Sequence, residues 1–285
     1  MIDEIEKIVS EVAASEVMPR RPHPAEARDF VEPWRDEVVT EADIAAEAAI
    51  APRLKALRDI PVVGEEAAKQ DPALLGLAAG TDPFWLVDPI DGTAAFAAGR
   101  EEFGVMVALV EGGETVLATI HVPLARRTTT AERGAGAFED GRRLRTRDEP
   151  AASEDLAGTI YAGFFDAGVK GQLAAAAARL GCRAIEPSYA AALEYPAVAR
   201  GDKDFVLYGR LRPWDHAPGC LIVTEAGGVA ALTADSAAYR PSVGFGPMLV
   251  AGTAPNWHVL SRSIRAAGAE RARPAPPGSQ ARRPA

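Results

Sequence analysis

Trp85-Leu86-Val87-Asp88-Pro89-Ile90-Asp91-Gly92-Thr93 is the stretch on which the reading of this chain turns. Three apolar residues of a buried strand run into two carboxylates flanking a proline, then into a Gly-Thr step that can open a helix. A strand that ends in this way marks a site. Asp88 and Asp91 fall close together in a tight turn, and like charges forced within a few Å need a cation or must stop being charged. Gly92 lets the backbone approach a ligand, and the amides of Gly92 and Thr93 then point outward as a cradle for an anion. Read alone, the same residues also make a solvated surface turn, so the neighbours decide.

Upstream, Pro61-Val62-Val63-Gly64-Glu65-Glu66 is a second short apolar strand that breaks at a glycine into carboxylates. Downstream, Arg212-Pro213-Trp214-Asp215-His216-Ala217-Pro218 leads a helical segment that closes at Glu225-Ala226-Gly227-Gly228. A further segment, Thr130 to Phe138, lies between them. In this order the motifs resemble the inositol monophosphatase family of metal-dependent phosphomonoesterases, over about Val38 to Val250. The resemblance implies an α/β fold, a layered αβαβα sandwich of the sugar-phosphatase type in two lobes. It also implies a branch point, since the family includes fructose-1,6-bisphosphatase, bisphosphate nucleotidase and histidinol-phosphatase members and a bacterial branch that acts on transcription complexes.

The 285 residues can bury a large core. A net charge of -9 and a pI near 5.1 speak against a general nucleic-acid binder, so an anionic substrate must be drawn by local charge. No apolar run approaches membrane-spanning length, and the acidic amphipathic start at Met1-Ile2-Asp3-Glu4 does not read as a signal peptide; the expectation is a cytoplasmic protein. With Cys182 and Cys220 as the two cysteines, buried thiols are expected rather than a disulfide framework.

Ile2, Ile5, Ile8, Val9, Val12 and Val17 recur at helical spacing and predict a first helix over residues 2 to 17. A Pro-rich loop follows to residue 37, where the family often carries a lysine near its metals; Glu32, Pro33, Trp34 and Arg35 hold no counterpart. Thr40-Glu41-Ala42-Asp43 has the form of a helix capping box, which gives Asp43 a structural role. The resemblance gives it a second, compatible one. Glu65 is the ligand candidate of its pair, because continued strand alternation turns Glu66 away. Phe103 to Ile120 reads as a strand, a Gly112-Gly113 turn and a strand. Beyond a charged stretch with Pro150, strands at Thr159–Tyr161, Cys182–Ile185 and Phe205–Leu207 alternate with helices over 172–180 and 190–199. The domains expected are a lobe of residues 1–150 with the metal motifs, a lobe of 151–265 with Asp215 and the substrate pocket, and a disordered tail of 266–285.

Glutamate and aspartate oxygens alone select hard cations, and Mg²⁺ tolerates incomplete protein coordination. By the resemblance, Glu65, Asp88 and the Ile90 carbonyl hold one ion and Asp88, Asp91 and Asp215 a second. Two or three Mg²⁺ ions are implied, with Mn²⁺ as a substitute and Li⁺ as an inhibitor. Asp43, Thr93 and Glu65 are the catalytic candidates, with Asp43 and Thr93 orienting the attacking water. Gly92 and Thr93 receive the phosphoryl oxygens. Counting back from Trp214-Asp215, inositol-specific members place a glutamate where this chain has Tyr208, and Tyr189 stands where a glycine is usual. Those departures predict a flatter, more aromatic alcohol pocket with Arg210 at its rim, unless both tyrosines only pack. His216 is read as a packing residue or a helper in phosphate binding. The partners expected are a small phosphorylated substrate and a second copy of the chain, with no membrane.

Overall fold

Strand β2 (Phe84–Asp91) is buried along its whole length, and the rest of the chain is layered about it. It lies in a seven-stranded sheet of order β1-β2-β3-β4-β5-β6-β7. The other members are β1 (Val62–Gly64), β3 (Gly104–Glu111), β4 (Glu114–Val122), β5 (Arg127–Glu132), β6 (Gly136–Glu139) and β7 (Arg142–Arg143). Among the described residues of this sheet, β1 and β2 run parallel and the other pairs antiparallel. A five-stranded sheet of order β11-β12-β10-β8-β9 is built from β8 (Ala157–Ile160), β9 (Arg183–Ala184), β10 (Phe205–Arg210), β11 (Val229–Leu232) and β12 (Phe245–Ala251). This computed structural model describes residues 1–23, 26, 27, 29, 38–147 and 149–268. Glu32 to Arg35 and the tail arginines Arg271, Arg273, Arg282 and Arg283 lie outside them.

The helices α1 (Ile2–Val12), α2 (Glu41–Leu57), α3 (Glu65–Gln70), α4 (Thr93–Ala97), α5 (Ala167–Leu180), α6 (Ala191–Arg200), α7 (Pro213–Glu225) and α8 (Ala254–Ala266) complete the fold. Ile5, Ile8 and Val9 of α1 and Ala46, Ile50 and Leu54 of α2 close one face of the large sheet over Trp85, Val87 and Val107. On its other face, α6 and α7 are shared between the sheets: Val198 and Ile222 pack with Met106 and Ile120 on one side and with Val206 and Met248 on the other. Outermost, α5 and α8 set Leu173, Trp257 and Leu260 on Leu207 and Leu249. The layers are therefore α, β, α, β, α. The α6–α7 crossing is close enough that a Cβ on Gly219 would stand 2.1 Å from the Tyr195 ring, so no larger residue fits there.

Three local expectations are corrected. The Asp-Pro-Ile-Asp segment is not a turn after the strand: β2 continues through Asp91, with its register against β3 shifting between Asp88 and Asp91. Pro89 has no N–H for the ladder, and the irregularity that accommodates it re-aims the side chains, so two aspartates at an odd spacing need not face opposite ways. The second correction concerns Glu66. Helix α3 begins at Glu65, so strand alternation stops there and both glutamates are buried. The third concerns Gly134 to Gly141, whose glycines predict tight turns from sequence: the stretch contains strand β6.

Candidate functional site

The capping box at α2 is formed. Thr40 N donates to Asp43 Oδ2 over 2.8 Å and the Thr40 hydroxyl donates to the same oxygen over 2.6 Å. The other carboxylate oxygen, Oδ1, faces the Thr93 hydroxyl at 3.1 Å, and that hydroxyl also lies 2.8 Å from the Ile90 carbonyl. One proton thus has two acceptors. Burial pushes the Asp43 carboxyl up to about 6, against the pull of its Thr40 and Thr93 hydrogen bonds. The structural and the functional expectation for Asp43 meet in one side chain.

Gly92 carries the chain from β2 into α4 with φ 87°, the left-handed region, and a Cβ there would lie 2.5 Å from the Glu102 carbonyl. Only glycine fits this corner. Asp91 Oδ2 accepts from Ala192 N over 2.6 Å, at the first turn of α6. Asp88 is 1% exposed, and its Oδ1 has no hydrogen-bond partner. Burial first, then the neighbouring carboxylates Glu65, Asp91 and Asp215, hold the Asp88 carboxyl well above the usual carboxylate range. Burial and then Asp215 do the same for Asp91. Glu65 is raised by burial and by Asp215, while Arg212 and Lys69 pull the other way.

Those two cations are what sequence reasoning underrated. Arg212 Nη1 lies 2.7 Å from Glu65 Oε1 and Lys69 Nζ 3.1 Å from it, and Lys69 also pairs with Glu66 at 2.7 Å. Lys69 was legible as an i+4 partner of Glu65; nothing in the spacing of Arg212 points to Glu65, 147 residues away. As the side chains lie, no three acidic, histidine or cysteine residues among those described are gathered tightly enough to grip an ion. The donor chemistry nonetheless fits a hard divalent cation. All the donors are oxygens, the carboxylates repel one another, and a buried oxygen of Asp88 is unsatisfied.

A cavity of about 120 Å³ opens over this cluster. Glu65, Asp88, Ile90, Asp91, Gly92, Thr93 and Asp215 line it, together with Tyr161, Phe164, Tyr189, Tyr208, Arg210 and His216. Every site residue expected from the sequence except Asp43 lines it, and Asp43 touches it through Thr93. The aromatic part of the lining differs in detail from the expectation. Tyr208 stacks on both Tyr161 and Tyr195, at centroid distances of 5.1 and 5.4 Å, so its ring is engaged in packing. What it has left is a hydroxyl without a hydrogen-bond partner. Tyr189 has φ 62°, the conformation in which a glycine is ordinarily placed. His216 is buried; its Nε2 lies 2.9 Å from the Arg210 carbonyl and its Nδ1 2.7 Å from the Tyr195 hydroxyl. A carbonyl can only accept, so Nε2 carries the proton and Tyr195 donates to Nδ1. Burial, then the Arg212 charge, push this imidazole down to about 3. It is a neutral clamp between α7, α6 and the end of β10.

Residues 3–271 match the model of the inositol monophosphatase family. The chain belongs to the inositol monophosphatase family. It is 33% identical over 195 residues to a fructose-1,6-bisphosphatase/inositol-1-monophosphatase of Thermotoga maritima, covering 68% of this chain and 70% of that protein. It is also 33% identical over 225 residues to the Nus factor SuhB of Xylella fastidiosa, covering 76% of each. The structure of an inositol monophosphatase of Thermotoga maritima superposes with a TM-score of 0.74 at 26% identity, over 93% of this chain and 97% of that one. The layered fold of the inositol monophosphatase family is thus shared nearly end to end. Among the described residues no helix is long and apolar enough to cross a membrane.

Proposed function

We propose that the chain is a Mg²⁺-dependent phosphomonoesterase that hydrolyses the phosphate ester of a small polyol, sugar or related alcohol. The observation that carries this reading is the unsatisfied, fully buried oxygen of Asp88 among mutually repelling carboxylates at the floor of a cavity. Glu65, Asp88, Asp91, Asp215 and the Ile90 carbonyl are the residues that would hold the metal. Bound there, Mg²⁺ supplies the positive charge that acidifies a water and stabilises the leaving oxygen.

The remaining work belongs to the chain's own groups. Ionised Asp43 draws the Thr93 proton toward itself, which leaves the Thr93 oxygen lone pairs to accept from a water above the cluster and fix its orientation. Gly92 and Thr93 turn the backbone at the cavity wall, where their amides meet a phosphoryl group. Tyr189, Tyr208 and Arg210 receive the alcohol, the tyrosines as neutral groups and Arg210 as a cation at the rim. No serine or cysteine nucleophile is required.

Phosphate release from a panel of monoesters, with and without Mg²⁺, tests the proposal. Turnover that requires Mg²⁺ supports it, and no release from any ester overturns it. The similarity to proteins named Nus factor SuhB favours a second reading, a binding protein that keeps the fold. Metal-dependent turnover separates the two, because a binding role alone leaves the carboxylate cluster without a use.

A further inference from the structure

Bonded to the cavity's aromatic lining, but not part of it, is a carboxylate that the proposed chemistry does not use. Glu194, in the first turn of α6, is 0% exposed. Its Oε1 accepts from Ser188 N at 3.0 Å, from the Ser188 hydroxyl at 2.8 Å and from the Tyr161 hydroxyl at 3.3 Å. Its Oε2 accepts from the Thr159 hydroxyl at 3.3 Å and pairs with Lys203 Nζ, which also donates to Thr159 over 2.9 Å. A buried carboxylate held this fully is a fixed point, because any movement would strip it of partners that water cannot replace.

The contacts run outward from that point to the cavity. While its hydroxyl donates to Glu194, the Tyr161 oxygen accepts from Tyr189 N over 3.1 Å. Tyr189 is a non-glycine residue at φ 62°, a conformation that persists only where surrounding contacts over-determine it. The two rings meet edge to face at 6.2 Å, and the Tyr161 ring stacks in turn on Tyr208. All three tyrosines line the cavity. Glu194 lines none of it.

We infer that Glu194 is a positioning residue for the alcohol pocket: through Ser188 and the Tyr161 hydroxyl it holds Tyr189 in its left-handed conformation and so sets how large a leaving group the pocket admits. This rests on the phosphatase reading for its substrate, though not for its geometry. Glu194→Gln keeps the shape of the side chain and removes its charge; Tyr161→Phe cuts the relay to Tyr189 and leaves the Glu194–Lys203 pair in place. A Glu194 that acted only on the fold would change all esters alike.

The test uses the full chain with Mg²⁺ and two esters, the small glycerol 2-phosphate and the larger myo-inositol 1-phosphate. For Glu194→Gln the ratio of the two KM values is expected to move about tenfold, within the range that one misfitted pocket contact is worth, while kcat on glycerol 2-phosphate stays within about twofold. Tyr161→Phe is expected to move the ratio in the same direction. The double variant should do no more than Glu194→Gln alone, because residues in one relay do not add. An unchanged ratio in either folded single variant, or additive effects in the double, overturns the inference. If Glu194→Gln does not fold, Tyr161→Phe alone decides. Calorimetric Kd values for the same two esters give the ratio without turnover. A chain that binds both and hydrolyses neither these nor any other ester fails the phosphatase reading, while Glu194 is still judged on the Kd ratio; a chain that binds neither ester overturns the inference about Glu194 and leaves the phosphatase reading to the wider panel.

Discussion

At the scale of single residues, function and stability pull in opposite directions at Asp43. Its carboxyl is raised from 3.8 to about 6, chiefly by burial, so folding takes up a proton between these values. The resulting stabilisation is fully present below about pH 4 and is lost as the pH rises through 6. Removing the charge should therefore help the fold where the carboxylate would be ionised. Asp43→Asn is expected to be more stable than the parent at pH 8 by on the order of 1–2 kcal/mol, after allowing for the weakened capping and helix-dipole interactions. The gain should vanish near pH 4, and activity should fall steeply at every pH. Thermal unfolding at the two pH values checks the sign; a variant less stable at pH 8 would mean that the capping contacts outweigh the burial of charge. Thr93→Ala is its counterpart. Among the described residues the Thr93 hydroxyl bonds to Asp43 and the Ile90 carbonyl, so its loss should lower kcat far more than the melting temperature. A Thr93→Ala enzyme with normal kcat would reduce Thr93 to the residue that opens α4.

Single elements show which parts of the site could be read beforehand. The carboxylates of β2, the capping box of α2 and the Trp-Asp start of α7 were legible because each is a local pattern whose geometry follows from neighbouring residues. Helix α3 was not, since what holds it comes from elsewhere. Glu47 of α2 reaches across to its N-terminus and accepts from Glu66 N at 2.8 Å and Ala67 N at 2.9 Å. A Cβ on Gly64 would collide with that carboxylate at 2.2 Å, which explains a glycine just before Glu65. The register shift in β2 was hidden for the same reason, because it exists only against β3. Burial, with Glu66 and Glu65, raises the Glu47 carboxyl against the pull of its two amide bonds, so Glu47→Gln should leave stability at pH 8 no lower, yet should raise the Mg²⁺ concentration for half-maximal activity by turning Glu65 from its place. Titration of activity against Mg²⁺ is the check, and an unchanged midpoint would separate α3 from the metal.

For the molecule as a whole, the layering was readable because alternating strands and helices of these lengths have few ways to stack. The sharing of α6 and α7 between both sheets was not, since it depends on contacts such as Gly219 against Tyr195. That central layer brings Asp215 from α7 and the Ala192 amide from α6 to the aspartates of β2. Metal binding is accordingly expected to stabilise the whole fold. At Mg²⁺ about 100-fold above its Kd the gain should be roughly 2.7 kcal/mol, a rise of several degrees in Tm. Asp88→Asn should abolish that rise, and it or Asp215→Asn should lower kcat by on the order of 10³-fold or more. A Tm indifferent to Mg²⁺ in the parent chain, or near-normal turnover in either variant, would count against the metal scheme.

Substrate choice is where the assembled cavity departs furthest from an inositol site. The resemblance expects a glutamate at position 208, an acceptor for ring hydroxyls, and this chain places there a tyrosine stacked on Tyr161 and Tyr195. Its unpartnered hydroxyl is neutral, held far above its ordinary pKa first by burial, and it can donate as well as accept. A pocket built to accept from hydroxyls discriminates by leaving its own polar groups unpaired when the wrong ligand binds, and exchanging the acceptor changes which ligand is wrong. Arg210, its guanidinium 5.6 Å from the Phe164 ring centre, adds a cation to the cavity lining. We therefore expect myo-inositol 1-phosphate to be hydrolysed but not preferred, with a sugar phosphate, a nucleotide or histidinol phosphate giving the higher kcat/KM across a panel. Tyr208→Phe removes only the hydroxyl. Since that group is buried without a partner, the variant should be no less stable than the parent, yet should lose about tenfold or more in kcat/KM on the preferred ester. A clear preference for myo-inositol 1-phosphate that survives in Tyr208→Phe would show that position 208 does not read the leaving group.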